Sequence, residues 1–382
     1  MHLCSYIMKT IKFNTSWQIT DESENSLGSE LFTLLNHIHR AGRLTTAAKS
    51  MGISYRHAWN LVKEWHDFFG SELIQFTRGK GASLTELGEK ILWAEQRASA
   101  RLGLHLDSLA SEINLEINKT LESARSELTI RASHGYAVAY LPELLESVKD
   151  LQVDLRYLGA SESLSALGRG ECDLAGFHLP TDGNGTALLQ RLAPLLNPAE
   201  HCLIHLVTRT QGLFVEKGNP LGIHQLKDIT SNGVRFINRQ TGSGTRMLID
   251  QMLENNRIDK KDINGYDSEE FTHAAVAAFV ASGMADTGIG VQPASTQFGL
   301  DFIPLAQERY LFACHKKAVQ RKGVKELIKL LKSKEFNKHI NSLPGYSAPR
   351  AGAVVNLETG LMGDSPSALN KPEKSAQNSN VN

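Results

Sequence analysis

Phe236-Ile-Asn-Arg-Gln-Thr-Gly-Ser-Gly-Thr-Arg246 decides how the rest of the chain is read. An apolar run ends abruptly at a polar, glycine-rich turn, and Met247, Leu248, Met252 and Leu253 then recur at helical spacing. The pattern predicts a strand, a tight loop and a helix start, with Gly242 and Gly244 letting backbone N–H groups come close to a bound group. Free N–H groups at a helix N-terminus, beside the Thr241, Ser243 and Thr245 hydroxyls and the cations Arg239 and Arg246, form a seat for a small anion. A capped turn whose arginines pair with surface carboxylates fits the same residues, and the stretch alone supports both. Two nucleotide-phosphate patterns fail: Thr245-Arg246 follows Gly244 where a Lys and a Ser or Thr belong, and Met247 stands where a dinucleotide fingerprint needs a small residue.

Upstream, Leu128 to Ala132, Val153 to Leu158 and Glu171 to Phe177 read as strands, with turns at Ser133-His-Gly135 and Gly159-Ala-Ser161 and helices over Tyr136 to Val148 and Ser163 to Leu167. Such alternation predicts an open parallel sheet whose ligand sits beyond the carboxyl ends of the strands. Downstream, Leu203 to Val207, Gly212 to Val215, Ala285 to Gly290, Leu300 to Pro304 and Tyr310 to Ala313 add strands, and Thr272 to Ser282 is an alanine-rich helix. The chain therefore crosses between two α/β lobes, and Ser133, Ser161 and Thr241 to Thr245 are expected to meet in one crevice. His134 and His178, at strand ends facing it, are secondary candidates, because a histidine there is more often a hydrogen-bonded structural residue. Asp286 suits a tie between lobes as well as a ligand contact, and Glu269 and Glu270 read as a solvated helix start. Residues 321–349 form a lysine-rich amphipathic helix, and from about Ala351 the absence of aromatics predicts no fixed structure.

Before these lobes, Ile11 to Ile19 alternates as a short edge strand and Asp21 to Gly28 is a polar loop. Leu31, Leu34, Leu35 and Ile38 then share a helix face that Gly42 ends, and Thr45 to Met51 is a second helix broken by Gly52. A third helix starts at the N-cap Ser54, with Ala58, Leu61, Val62 and Trp65 at core spacing. That helix turns Tyr55, Arg56, Trp59, Asn60 and Lys63 outward, where a major groove would lie. Leu73 to Thr77, the tip Arg78-Gly-Lys-Gly81 and Ala82 to Leu84 spell a wing, with Arg78 and Lys80 positioned for phosphates and Thr85 capping the next helix. A tri-helical bundle with a basic tip also suits protein contacts; the conjunction of motifs favours DNA. Beyond the wing, Leu87, Ile91, Ala94, Ala98, Leu102, Leu106, Leu109, Ile113, Ile117 and Leu121 form one apolar seam on a long helix, read as a dimer helix.

Ile53-Ser-Tyr-Arg-His-Ala-Trp-Asn60, Gly79-Lys-Gly81 and Leu84-Thr-Glu-Leu-Gly88 resemble the winged reader of ModE-type molybdate-dependent regulators over roughly residues 25–95. Ala47-Ala48 and the close of the wing are more distantly similar to LysR-type regulators, and the resemblance implies a homodimer on a two-fold DNA site. Ala132-Ser-His134, Gly170 to Gly176 with His178, Gly218-Asn-Pro220, the 236–246 stretch, Ala277 to Gly290 and Asp301-Phe-Ile-Pro304 resemble the PBP-like superfamily, in particular its versions fused to such readers. In periplasmic molybdate-binding relatives, hydroxyls and N–H groups after the first two strands hold the oxyanion; the resemblance implies Ser133 and Ser161 for that role. The Gly-spaced short strands of the β-barrel molybdate domain usual in ModE-type sensors are absent from the sequence.

The 382 residues carry 41 basic and 41 acidic side chains, so any grip on nucleic acid comes from a local patch. Four scattered cysteines (Cys4, Cys172, Cys202, Cys314) lack metal spacing and suit a reducing cytosol; no stretch is long enough to span a bilayer, so a cytoplasmic protein is expected. The expected architecture is multidomain: an N-terminal extension (1–24), an all-α winged helix-turn-helix (25–92), a linker helix (93–125), a two-lobed α/β periplasmic-binding-protein-like domain (126–349) and a disordered tail (350–382). The expected function is a DNA-binding regulator sensing a small oxyanion, molybdate or tungstate foremost, with no metal, cofactor or catalytic residue. Alternatives are a regulator sensing an organic anion or pterin-type ligand, an enzyme on an anionic small molecule, which lacks a nucleophile with an assigned base, and a transporter's solute-binding protein, which the reader opposes.

Overall fold

A computed structural model describes residues 11–13, 16–79, 81–121, 126–181 and 186–362. A short hairpin, β1 (Ile19–Thr20) and β2 (Ser26–Leu27), precedes helices α1 (Ser29–Ala41), α2 (Leu44–Ser50) and α3 (Tyr55–Phe69). Of the strand expected over Ile11 to Ile19, only Ile19 is in strand among the described residues, with Thr20, and Trp17 stacks on Phe32 of α1 at 4.4 Å instead of joining a ladder; Asn14 and Thr15 lie outside the described residues. Gly42 ends α1 in the left-handed region (φ 64), and the Ser54 hydroxyl accepts the His57 N–H at 3.1 Å to start α3. Leu31, Leu34, Leu35, Ile38, Ala58 and Trp65 bury their side chains between the three helices. The wing β3 (Ile74–Thr77) and β4 (Gly81–Leu84) folds back on this core, and Thr85 Oγ1 caps the following helix by accepting the Gly88 N–H.

That helix, α4 (Glu86–Leu121), is continuous over 36 residues. It leads into the first lobe: β5 (Ser126–Ala132), α5 (Tyr136–Ala139), α6 (Leu141–Leu145), β6 (Leu151–Tyr157), α7 (Ala160–Gly168), β7 (Leu174–Pro180) and α8 (Thr186–Leu192). The single helix expected over Tyr136 to Val148 is two short pieces, because Pro142 lacks an N–H and sits in the first turn of the second. The chain then crosses on β8 (His201–Val215) to a second lobe of β9 (Phe236–Arg239), α9 (Gly244–Asn255), β10 (Glu269–Glu270), α10 (His273–Ala281), β11 (Thr287–Val291) and α11 (Gln292–Gln297), and returns on β12 (Asp301–His315). Helices α12 (Lys322–Leu331) and α13 (Lys334–Asn341) close the first lobe; Ser333 caps the second of them and splits the one helix expected there.

The strand order is β10-β9-β11-β8-β12-β7-β5-β6, with parallel pairing inside each lobe and antiparallel β8 and β12 joining them. The sheet is therefore mixed, and the four strands expected over 203–215 and 300–313 are two 15-residue strands. Their polar middles, Thr208 to Gln211 and Gln307 to Arg309, lie between the expected strands yet stay in strand, held by mutual pairing with register shifts at Pro304/Ala306 and Tyr310/Leu311. Both faces of each lobe's sheet are covered: Leu128, Ile130 and Phe312 lie in one apolar cluster and Phe177 and Leu311 in another, while Ile289 and Phe214 mark the two faces of the second lobe.

The region from Ala351, expected to lack structure, is folded as far as Met362. Strands β13 (Tyr346–Ser347) and β14 (Val354–Val355) pair with the flank of β8, and α14 (Leu357–Met362) buries Leu357 behind them. Backbone pairing along an otherwise open flank orders a segment that composition alone leaves free. The rest of that tail, with Cys4 and the first ten residues, lies outside the described residues; Cys172, Cys202 and Cys314 are buried free thiols.

Candidate functional site: a crevice between lobes and a winged helix-turn-helix

Between the lobes lies a cavity of about 560 Å3, with Arg209 of the connecting strand β8 in its lining. Ser133, His134, His178, Arg239, Gly242, Ser243, Gly244 and Thr245 all line it, so the 236–246 turn and the turn after β5 do meet. Gly242 takes φ 86, and the Ser243 hydroxyl accepts the Arg246 N–H to start α9 pointing at the cavity. Gly176, beneath the crevice floor, has no room for a Cβ, which would overlap the Tyr310 hydroxyl as it donates to the Ser133 carbonyl at 2.8 Å.

Three expected residues do not line the cavity. Ser161 sits in the first turn of α7, and Leu158, Gly159 and Glu162 occupy the wall there instead. Thr241 gives its N–H and hydroxyl to Glu269. Arg246 stacks on Tyr266 with its guanidinium carbon 4.3 Å from the ring centre and pairs with Asp250 at 3.3 Å. The carboxylate-pairing reading of the turn therefore describes Arg246, whereas Arg239 lines the cavity. Asp286 ties to Arg235 within the second lobe. Glu270, expected at a solvated helix start, is fully buried between Arg97 and Arg101 of α4.

The centre of the site was missed in sequence because it lies inside β8 and β12. Arg209, only 2% exposed, donates through Nε and Nη2 to Glu308 Oε2 at 3.0 and 2.9 Å. Gln211 bridges Glu308 Oε2 and the Thr245 hydroxyl, each at 3.0 Å. Arg239, 8% exposed, spends its donors on the Glu270 and Phe271 carbonyls and the His273 ring, with no carboxylate of its own. Arg209 Nη1, His178 Nε2, Gln211 Oε1, Gln240 Oε1 and Glu308 Oε1 are buried without a hydrogen-bond partner among the described residues, although the Tyr346 hydroxyl stands beside Arg209. Of these residues His178, Arg209 and Gln240 line the cavity, so it is walled in part by buried polar groups, which are rarely left without partners.

Charge follows the same pattern. Burial, then the neighbouring Arg209, pushes Arg239 down to about 9, partly offset by Glu308 and Glu270; it remains a cation at neutral pH that an anion would relieve. Burial, then Arg239 and Arg209, holds His134 at about 3, and His178 and His273 fall well below the usual value for the same reasons. These rings are neutral in the folded chain and protonated in the unfolded chain below about 6.5. The unfolded chain thus binds more protons between about pH 3 and 6.5, and stability present above 6.5 is lost as pH falls through that window. The urea midpoint is expected to drop between pH 7 and pH 5; a flat or rising midpoint would contradict this.

A cluster of Glu200, His201 and His315 stands at the far end of β8 from Arg209. His201 Nδ1 accepts the Asn197 N–H at 3.1 Å, so the neutral ring carries its proton on Nε2 and keeps no lone pair for a metal.

In the reader, Ser54 caps α3 while Tyr55, Arg56, Trp59, Asn60 and Lys63 are exposed on one side of it, and Arg78 is exposed on the wing. Lys80 lies outside the described residues. Phe76, not singled out from sequence, extends the helix's aromatic face onto the wing: Tyr55 and Trp59 are 6.2 Å apart and Trp59 and Phe76 5.1 Å apart, ring centre to ring centre. Among the described residues no helix is long and apolar enough to cross a membrane.

Residues 141–332 match the PBP superfamily domain, and residues 24–89 match the bacterial regulatory helix-turn-helix protein, lysR family. The chain is 38% identical over 205 residues to the uncharacterized protein YvgK of Bacillus subtilis, covering 53% of this chain and 65% of that one. It is 28% identical over 145 residues to the molybdenum-pterin-binding protein MopB of Rhodobacter capsulatus, covering 37% of this chain and 52% of that one. The chain thus spans less than two thirds of either relative's length. Among solved structures, the probable transcriptional regulator PA0477 from Pseudomonas aeruginosa aligns at 17% identity over 79% of this chain and 96% of its own, with a TM-score of 0.41.

Proposed function

This chain belongs to the PBP superfamily and carries a LysR-family helix-turn-helix, and on that premise we propose that it is a transcriptional regulator governed by a small anion. The observation that carries the sensor half is the buried Arg209–Arg239 pair facing a cavity with unpartnered polar atoms. Molybdate or tungstate, held by Arg239, Arg209, the Ser133 and Ser243 hydroxyls and the N–H groups at the start of α9, is the effector that this donor set suits first. The partial likeness to a molybdenum-pterin-binding protein supports the same choice.

A second reading follows from size. A tetrahedral oxyanion fills the space of a few waters, about 100 Å3 at roughly 30 Å3 each, whereas the cavity holds about 560 Å3 and is partly walled by Leu104, Tyr157, Leu158 and Phe271. An anionic group on an organic body, pterin-type included, uses that wall. Mass spectrometry of the low-mass fraction released on denaturing the protein separates the two.

For the reader, the Arg56, Asn60 and Lys63 side chains enter the major groove, the Tyr55–Trp59–Phe76 face meets thymine methyls, and Arg78 contacts phosphate. The apolar seam of α4 supports a homodimer: Leu102, Leu109 and Ile117 are 51, 44 and 40% exposed at heptad-like spacing in the single chain. Selection from a random duplex pool with the full chain is expected to enrich a two-fold-symmetric sequence. The Leu102→Glu, Leu109→Glu double variant, monomeric by sedimentation, enriches none. Recovery of no sequence by the full chain contradicts the proposal.

A further inference from the structure

We propose that α4 is a third wall of the crevice and that its Arg101, latched to Glu270, passes occupancy of the crevice to the helix that carries the reader; this rests on the crevice being an anion site. One face of α4 presents Arg97, Arg101, Ser108 and Ser111, all of which bond to the ligand domain, and Asn114, which bonds to Ile11 of the N-terminal extension. Arg101 grips the buried Glu270 carboxylate through Nε and Nη2 at 2.6 and 2.8 Å, and Arg97 adds Nε at 2.9 Å. From the crevice side, Arg239 holds Glu270 and its neighbour Phe271 by their carbonyls. The segment Glu270–Phe271 is therefore clamped between an arginine facing the ligand and an arginine of the linker helix.

The same helix closes the other lobe. Ser108 Oγ accepts the Tyr157 N–H at 3.1 Å and Ser111 Oγ accepts the Leu155 N–H at 2.9 Å, capping the outward N–H groups of the edge strand β6. Helix α4 thus touches both lobes across the mouth of the cavity, and Arg101, Leu104, His105 and Ser108 line it. Charge makes the arrangement responsive. Arg97 and Arg101 hold the buried Glu270 and Arg209 holds the buried Glu308, which leaves Arg239 with no carboxylate; on the rim Arg156 pairs with Asp154 and Glu112, and Glu162 lines the wall. The excess positive charge pushes Arg101 and its helix away from Arg209 and Arg239 while the crevice is empty. An anion between them reverses that, and Nη1 of Arg101 takes no part in the Glu270 pair and remains for it.

Movement of α4 reaches the reader directly. Trp93, about two turns into the helix, packs edge-on to His39 of α1 at 5.6 Å and against Phe298 of the second lobe at 5.8 Å. The opposite face of α4 carries the seam proposed for the partner subunit, so a shift of the helix changes the geometry of the pair.

The test uses the full chain, sodium molybdate as probe, calorimetry, and hydrogen exchange at the Leu155 and Tyr157 amides. In the wild type, molybdate binds and slows exchange at both. Arg101→Gln is expected to weaken binding about tenfold, the size of one lost charge-assisted bond, and to abolish the slowing. Without anion, Glu270→Gln and Arg101→Gln are expected to speed exchange at both amides. Wild-type affinity and wild-type slowing in Arg101→Gln would overturn the latch. If molybdate gives no heat with the wild type, the molybdate reading fails; the latch then stands or falls on the anion-free variants, and unchanged exchange in both overturns it.

Discussion

An Arg209→Met chain is expected to lose about 3–5 kcal/mol of stability, because it leaves Glu308 buried with no cation. Glu308 is completely inaccessible, and besides Arg209 it accepts only from Gln211 among the hydrogen bonds described. Its second oxygen already lacks a partner. Removing the guanidinium therefore forces the carboxyl either to take up a proton or to stay charged in apolar surroundings. The double variant Arg209→Met, Glu308→Leu is expected to recover most of the loss, since it removes both charges and leaves Gln211 its bond to Thr245. Urea unfolding followed by far-UV circular dichroism measures both. A single variant as stable as the wild type would mean that the two side chains do not form a buried pair.

Arg239→Gln is expected to behave in the opposite way, keeping the fold and losing the ligand. Arg239 has no carboxylate partner, only carbonyls and a histidine ring, and it repels Arg209. Burial and Arg209 disfavour its charge, and Glu308, Glu270 and its hydrogen bonds offset this, so the anion-free variant is expected to lie close to the wild type in stability. Molybdate affinity is expected to fall by about a hundredfold, the loss of two charge-assisted bonds. Arg246→Gln, although it removes a neighbouring cation from the same sequence motif, is expected to leave affinity within about threefold, because its guanidinium is committed to Tyr266 and Asp250. Equal losses in both variants, read by calorimetry, would contradict the assignment of the two arginines.

Those two arginines also show how far the sequence could be read. The strand, turn and helix over 236–246 follow from local rules, and they appear as β9, a positive-φ Gly242 and a Ser243-capped α9. The reader was legible for the same reason: Gly42, Ser54 and Thr85 act on residues within a turn of themselves. What was not legible depends on partners distant in the chain. Thr208-Arg-Thr-Gln211 has the composition of a loop, and only pairing with residues about a hundred positions later makes it strand. Glu270 looks solvated until Arg97 and Arg101, some 170 positions earlier, are brought against it. Val354 and Val355 are ordered by the flank of β8. Polar residues inside a strand were therefore the missed signal: Arg209 and Glu308 interrupt two apolar runs at paired positions, with Gln211 two residues on, and Arg209 lines the crevice.

The central claim, an anion held between two lobes by buried arginines, is tested most directly by titrating the purified full chain with molybdate, tungstate, sulfate and phosphate in a calorimeter. The account predicts saturable heat with molybdate or tungstate at one anion per chain, absent from Arg239→Gln. No heat with any of the four, together with no low-mass anion released on denaturation, would contradict it.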